Sequence, residues 1–162
     1  MEKPASLRAA LAAADPQLAR DAERLSVWVE EGRIRSPMTA SRGFSWEYTL
    51  NITITDFTLH PSVLFLAIND WLRTNQPDLL SPEAKSGYSF EADMIDPQTV
   101  DLHITLRLTE QVAVTTDASG TTSFQHLAEP DLSWLLGEPG LSTPTVTLTK
   151  LVPTPGTAPT GG

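Results

Sequence analysis

The chain has 162 residues, a formal net charge of −9 at pH 7 from 20 Asp and Glu against 11 Lys and Arg, and no Cys. This length allows one domain with a substantial core and is short for two. The acidic charge argues against a nucleic-acid reader, which needs clustered Lys and Arg, and the lack of Cys excludes disulfides and thiolate metal sites.

No segment carries the ~20 consecutive apolar residues of a membrane span. The first residues combine charges with a proline and lack the apolar run of a secretory signal. We therefore expect a soluble protein that is made and kept in the cytoplasm.

Two helices are predicted at the start of the chain. The first runs from Pro4 to Ala14, with proline in its first turn and Leu7 and Leu11 one turn apart. The second begins after Asp15 as N-cap and ends near Gly32. Its apolar stripe predicts one buried face and consists of Leu18, Ala22, Leu25, Trp28 and Val29.

Two long segments alternate between apolar and polar residues. They run from Phe44 to Ile54 and from Val100 to Val114, and only Glu110 interrupts the apolar positions of the second. Because side chains on a strand point alternately to the two faces of a sheet, each segment predicts a strand with one dry and one wet face. Long amphipathic strands without a convergent set of reactive side chains favour a scaffold over an enzyme.

Shorter elements complete the predicted domain. A helix from Pro61 to Asn75 should lie across the sheet, and its broad apolar face consists of Val63, Leu64, Ala67, Ile68, Trp71 and Leu72. A third strand covers Tyr88 to Met94, and a turn at Asp117 to Gly120 leads into a fourth at Thr121 to Leu127. The predicted fold class is α+β, a mainly antiparallel sheet of about four strands with helices packed on it.

The C-terminal part has a different composition. Residues 136–162 are rich in Pro, Thr and Gly and cannot bury enough apolar area to offset the entropy of ordering. We expect a folded domain at 1–135 followed by a flexible tail at 136–162, with a strand-like composition at 145–152.

The residues able to carry chemistry also have simpler structural explanations. His60, His103 and His126 do not have metal-ligand spacing and are expected to be structural or on the surface. No nucleophile elbow, phosphate loop or H-E-x-x-H segment occurs. Four carboxylates near one turn could hold a cation, but the usual explanation for such a group is a solvated sheet face: Glu91, Asp93, Asp96 and Asp101. We predict no catalytic residue, no metal and no cofactor.

Glu110 is the exception in the apolar pattern, because a lone buried carboxylate is heavily penalised. Either the strand has left the core at this point, or Glu110 pairs with a cation of the same or another subunit. The candidate cations are Arg8, Arg20, Arg42 and Arg107.

The four tryptophans divide into two groups. Trp28, Trp46 and Trp71 are expected in the core, and Trp134, just before the tail, is expected on a contact surface. The predicted interaction residues are therefore Glu110, Arg107, Arg42 and Trp134.

Seven segments, in this order along the chain, follow one family pattern: KPASLRAAL (3–11), VWVEEGRI (27–34), FSWEYTLNITITDF (44–57), WLRTNQPDLL (71–80), GYSFEADMID (87–96), LTEQVAV (108–114) and HLAEP (126–130). WLRTNQPDLL followed by the Gly-Tyr-Ser-Phe-Glu strand is the most specific combination. With these segments the chain resembles the tail-completion protein R family of contractile-tailed temperate bacteriophages.

The resemblance implies a virion assembly protein that caps the head-proximal end of a phage tail and prepares it for head–tail joining. By analogy with tail terminators, it is expected to form a ring, expected to be hexameric, around the DNA channel. Its implied partners are other copies of itself, the tube and sheath proteins of the tail, and the head-completion or connector proteins. DNA would pass without specific binding, no membrane would be involved, and a prophage or a headless tail-like particle could encode it.

The alternative is a small cytoplasmic ligand-binding domain or enzyme. In that case Asp93, Asp96, Asp101 and His103 would line a pocket on an acidic sheet face. A ring predicts a large, concentration-dependent particle without metal, whereas the alternative predicts a monomer or dimer with a bound ion or a defined pocket.

Removal of the residues after Leu136 is expected to leave the thermal unfolding transition nearly unchanged and to weaken assembly, because the tail contributes little to the core. Calorimetry measures the first effect and light scattering the second. A much earlier transition, or an insoluble product, would place the domain boundary elsewhere.

Overall fold

The computed structural model describes residues 1–37, 41–81 and 87–130. Within these residues the α+β class is confirmed, with three α-helices and five strands. The helices are α1 (Lys3–Ala14), α2 (Pro16–Arg20) and α3 (Ser62–Asn75), and the strands are β1 (Leu25–Arg35), β2 (Phe44–Phe57), β3 (Ser89–Asp96), β4 (Thr99–Thr116) and β5 (Thr122–Leu127). None of the helices in these ranges is long and apolar enough to cross a membrane.

The strands form one antiparallel sheet in the order β1-β2-β4-β3, with β5 also paired to β4. The central pair is β2 and β4, in register from Phe44 opposite Val112 to Phe57 opposite Val100. On the other side of β4, β3 pairs with residues 99–105 and β5 with residues 111–116. Residues 106–110 of β4 therefore face a gap in the edge of the described sheet.

The dry face of the central pair forms the core. Eight of its inward residues are each at most 1% exposed, and they are Leu50, Ile52, Ile54, Val100, Leu102, Ile104, Leu106 and Leu108. Leu7 and Leu11 of α1 and Leu64, Ile68 and Leu72 of α3 pack on this face and are fully buried. The prediction of which side of each long strand faces the core is confirmed.

The prediction of a long second helix was wrong. Helix α2 ends at Arg20, and the residues from Leu25 onward form β1, which pairs with β2 from Leu25 opposite Ile54 to Arg35 opposite Ser45. Leu25 and Val29 fit a helical stripe, but together with Val27 they also fit a period of two. Pairing with an exposed strand edge and the β-branched side chains favour the strand.

The extra strand changes the number of strands in the sheet and the position of one tryptophan. The described sheet has five strands rather than about four, because β1 adds to the free side of β2. Trp28 was predicted in the core, but it points to the polar face, is 38% exposed, and lies 5.6 Å from the His103 ring between ring centres. Trp46 is half-buried, and Trp71 is buried as predicted.

The other predicted elements are confirmed within one to three residues: the first helix, the two long strands, the central helix and the two shorter strands. The turn before β5 is closed by the Asp117 N–H donating to the Thr121 carbonyl oxygen at 3.0 Å, with Gly120 at φ 87°. Trp134, the boundary at 135 and the strand-like residues 145–152 lie outside the described residues.

Trp71 joins the two long helices above the sheet. Its side chain is 7% exposed, and its indole Nε1 donates to the Ser6 hydroxyl on α1 at 3.0 Å. The indole therefore contributes both apolar packing and a directed contact between α1 and α3.

Replacing Trp71 with Ala is expected to lower the free energy of unfolding by about 3 to 5 kcal/mol, because it removes a large core aromatic. Urea denaturation measures this loss of free energy, and we expect the m value to stay unchanged. The matched control is Trp28→Ala on the polar face, where we expect a loss of less than about 1 kcal/mol. Equal losses at the two positions would contradict the packing of α3 on the sheet.

Candidate functional site

Glu110 lies in the core-facing phase of β4 and is only 4% exposed. Its Oε1 accepts a hydrogen bond from the Tyr48 hydroxyl at 2.5 Å. Its Oε2 accepts the backbone N–H of Glu2 at 2.8 Å. The Nδ1 of His126 lies 3.3 Å from the same Oε2, within ion-pair distance but outside hydrogen-bond geometry.

The contact with Glu2 places the carboxylate at the start of α1, since Glu2 is the N-cap of that helix. The first N–H groups of a helix have no partner within the helix, and the helix dipole is positive at this end. A carboxylate can accept a hydrogen bond from such an N–H group, and its negative charge interacts favourably with the positive end of the dipole. Glu110 therefore fastens the beginning of α1 to β4.

The surroundings keep the carboxylate ionised. Burial raises the pKa of Glu110, but the hydrogen bonds from Glu2 and Tyr48, together with the charges of the N-terminus and His126, outweigh it and hold the pKa below its ordinary value. Burial, then the hydrogen bond to Glu110 and its charge, raise the pKa of Tyr48 well above the usual range. The phenol thus remains a donor to the carboxylate at neutral pH.

Neither sequence-based explanation of Glu110 describes these contacts. Strand exit was wrong, because β4 continues to Thr116 and Glu110 stays buried. Within the described residues no Arg contacts it: Arg8 donates to backbone carbonyl oxygens, including that of Leu25, and Arg42 lies 3.5 Å from the Thr116 hydroxyl. A role of Glu110 between subunits stays a prediction.

Gln76 closes the gap in the sheet edge and is 2% exposed. Its Oε1 accepts the backbone N–H of Thr109 at 3.1 Å and the Lys3 ammonium at 2.7 Å, and its Nε2 donates to Asp78 at 2.6 Å. Lys3 also pairs with Glu129 at 2.8 Å. The start of α1, the end of α3 and the middle of β4 are therefore joined at one place.

Beyond this junction the apolar face of the sheet continues, and no helix of the described residues lies on it. We name this the tip surface, and it consists of Ile34, Phe44, Trp46, Val114 and Phe124. Ile34 lies opposite Trp46 and Phe124 opposite Val114, so these side chains share the core face of the sheet. Ile34 is 74% and Phe124 65% exposed.

A second uncovered apolar surface lies on β3. We name it the edge surface, and it consists of Phe65 on α3 with Phe90 and Met94 on β3. Phe90 and Met94 lie opposite Ile104 and Val100 on the core face, yet they are 54% and 59% exposed. The rings of Phe65 and Phe90 are 4.7 Å apart between centroids. Large exposed apolar patches of this kind mark interaction surfaces.

The acidic residues do not converge on a pocket. Asp93 lies opposite Asp101 on neighbouring strands, and Asp101 accepts the backbone N–H of Asp56 at 2.8 Å. His103 lies 3.1 Å from the Thr53 hydroxyl and packs against Trp28. Within the ranges that the structure describes, no group of three or more His, Asp and Glu is placed to hold a metal ion.

The remaining predicted residues are dispersed. Arg107 is exposed on the polar face, at a shallow groove of about 310 Å³ that also touches Arg33 and Asp78. His60 caps the start of α3, with its Nδ1 accepting the Ser62 N–H at 3.2 Å. The structure therefore brings together His126 and Glu110, and leaves Arg42 and Arg107 apart from them.

Comparison with known proteins places this architecture in a family. The family model described as P2 phage tail completion protein R matches residues 1–130. The tail completion protein R of Escherichia phage P2 is 37% identical over 132 residues, which cover 80% of this chain and 84% of that protein. No solved structure matches.

Replacing Glu110 with Gln should lower the free energy of unfolding at pH 7 by about 1.5 to 3 kcal/mol, the range for hydrogen bonds to a charged group. The folded pKa of Glu110 is lowered, so its contribution is fully present above the unfolded pKa and is lost as pH falls through the folded pKa. The difference between the two proteins should therefore shrink in acid.

Urea denaturation at neutral pH and at about pH 3, below the ordinary Glu pKa, measures this. The matched control is Glu91→Gln, since Glu91 is an exposed carboxylate on β3. A difference between wild type and Glu110→Gln that does not change with pH would contradict the ionised state of Glu110.

Proposed function

This chain belongs to the P2 phage tail completion protein R family, and on that premise we propose that it completes a phage tail by capping its head-proximal end as a closed ring. Its general role is phage tail completion. In the proposed assembly, hexameric rings form around the DNA channel of a contractile tail, contact the tube and sheath proteins, and prepare the end for the head connector. Assembly takes place in the bacterial cytoplasm.

The observation that carries the ring proposal is the pair of uncovered apolar surfaces on one chain. A closed ring of identical subunits needs two different, complementary surfaces on each subunit. The tip surface and the edge surface lie on different strands and at different levels of β4. An interface of ordinary size buries about 800 Å² on each partner, which surfaces of several large side chains can supply.

The charge distribution supports a channel that DNA passes rather than binds. Five of the cations in the first 42 residues could form a DNA-contact stripe only if they converged on one face: Lys3, Arg8, Arg33, Arg35 and Arg42. Lys3 is buried against Gln76 and Glu129, and Arg8 donates to backbone carbonyl oxygens. These two cations are engaged within the subunit, and the formal net charge is −9.

The alternative of a ligand-binding domain or enzyme has no specific observation in its favour among the described residues. The carboxylates and His103 that would line its pocket face one another across strands and bond to neighbouring backbone or hydroxyl groups. Tail completion is therefore the function that we propose.

Electron microscopy of the purified protein mixed with unfinished tails tests this function. We expect ring-shaped density at one end of each tail and at no other position. Tails that already carry their completed end serve as the control and should take up no protein. Binding along the whole tail, or no binding by the folded protein, would contradict the proposal.

The protein should not shift duplex DNA in a gel at ~50 mM salt, where electrostatic binding to phosphate is strong. The reason is the repulsion between phosphates and a subunit of net negative charge. The assay is repeated with assembled rings and at increasing salt. Tight binding that weakens steeply with salt would indicate a DNA-contact surface instead of a passive channel.

A further inference from the structure

We propose that the edge surface of one subunit packs against the tip surface of a second copy of this chain, and that this contact closes the ring. The inference rests on the proposed function, because it names the two surfaces that a ring requires. It commits to one partner for both surfaces.

Both surfaces have the composition of an interface centre. The edge surface presents Phe90 and Met94 beside Phe65, and the tip surface presents Ile34 and Phe124 beside half-buried Trp46. Aromatic residues and Met are enriched at the centres of protein interfaces. Both also belong to the core face of the sheet, so each is a part of the core that no element of the described chain covers.

The chain segments that carry the two surfaces have opposite charge, and the charged side chains of β1 and β3 point to the polar face, behind the apolar side chains. Residues 87–106, which contain β3, carry four carboxylates and no Lys or Arg: Glu91, Asp93, Asp96 and Asp101. Residues 32–46, at the tip, carry Arg33, Arg35 and Arg42 and no Asp or Glu. Opposite potentials across a contact fix its register and disfavour wrong pairings.

The carboxylates near the tip are already engaged. Glu47 pairs with Arg35 at 2.9 Å on the exposed polar face. Asp117, on the turn before β5, accepts the backbone N–H groups of Ser119 and Thr121, both at 2.9 Å. Arg33 and Arg42 form no ion pair within the described residues.

The same charges disfavour a symmetric pairing of two edge surfaces. An isologous contact between two copies of β3 would place Glu91 and Asp93 against their own counterparts, and like charges directly opposite are destabilising. A head-to-tail contact avoids this repulsion and uses each surface once per subunit. Contacts of that type close into a ring when a whole number of equal rotations between neighbouring subunits makes one full turn.

Cysteine cross-linking tests the contact, since the chain has no Cys of its own. Two full-length variants are prepared, Met94→Cys on the edge surface and Phe124→Cys on the tip surface, one of them with an affinity tag. They are mixed at equal concentration and treated with a short bismaleimide, in solution and on tail ends. We expect cross-linked pairs that contain one chain of each variant, with at least about tenfold fewer pairs from either variant alone.

The matched control is Leu80→Cys, which is 39% exposed and lies on neither surface. It should cross-link with neither variant. Each variant is also checked for wild-type thermal unfolding, so that a loss of cross-links is not mistaken for misfolding.

Other outcomes overturn this inference. Pairs formed mainly within one variant would show a symmetric contact. Absence of mixed pairs while the protein still caps tails would show that the ring uses other surfaces, and the proposed function would stand. Cross-links within one chain between Met94→Cys and a second Cys at Thr147 would assign the edge surface to the chain's own residues 131–162. A folded wild-type protein that neither forms rings nor caps tails would contradict the proposed function itself.

Discussion

The antiparallel pairing of β2 with β4 is the constraint on which the rest of this structure depends. Both strands alternate between apolar and polar residues, with Glu110 as the exception at a core position, so a slip of one residue would turn the apolar core side chains toward water. The pairing extends from Phe57 at one end to Phe44 at the other. Among the described residues, helices α1 and α3 cover this face from Phe57 and Val100 as far as Leu108, and the tip surface is the part beyond them. The edge surface lies beside the covered part, on the outer strand β3.

The start of α1 determines how far the helices cover the apolar face of the sheet. Glu110 holds the first N–H of that helix, and Gln76 joins Lys3 to the backbone of Thr109. A buried carboxylate is costly when unpaired, but a helix N-terminus, a phenol and an imidazole supply what it needs. The contacts that stabilise α1 thus also fix where the covered core ends and the apolar tip begins.

Most elements could be predicted from sequence because their patterns are local. Alternation identified β2 and β4, and the helical stripe with Gln76-Pro77 behind it identified α3. Strand β1 was missed because Leu25 and Val29 satisfy both periods, and only the partner strand decides between them. The sequence shows that Glu110 interrupts the apolar pattern. It does not show that Glu110 accepts the backbone N–H at the start of α1, because any residue type could supply that N–H.

The two surfaces could not be predicted from composition, because exposure depends on which part of the sheet the helices reach. Phe90 and Phe124 occupy positions in their strands that are as regular as those of buried residues. Their exposure on a chain of net charge −9 is compatible with solubility, since like-charged subunits repel one another at a distance and associate only where local charges are complementary. Strands of a sheet twist relative to one another, so surfaces on different strands face different directions. In the head-to-tail contact proposed above, the angle between the two surfaces would set the rotation between neighbouring subunits and hence the number that closes the ring.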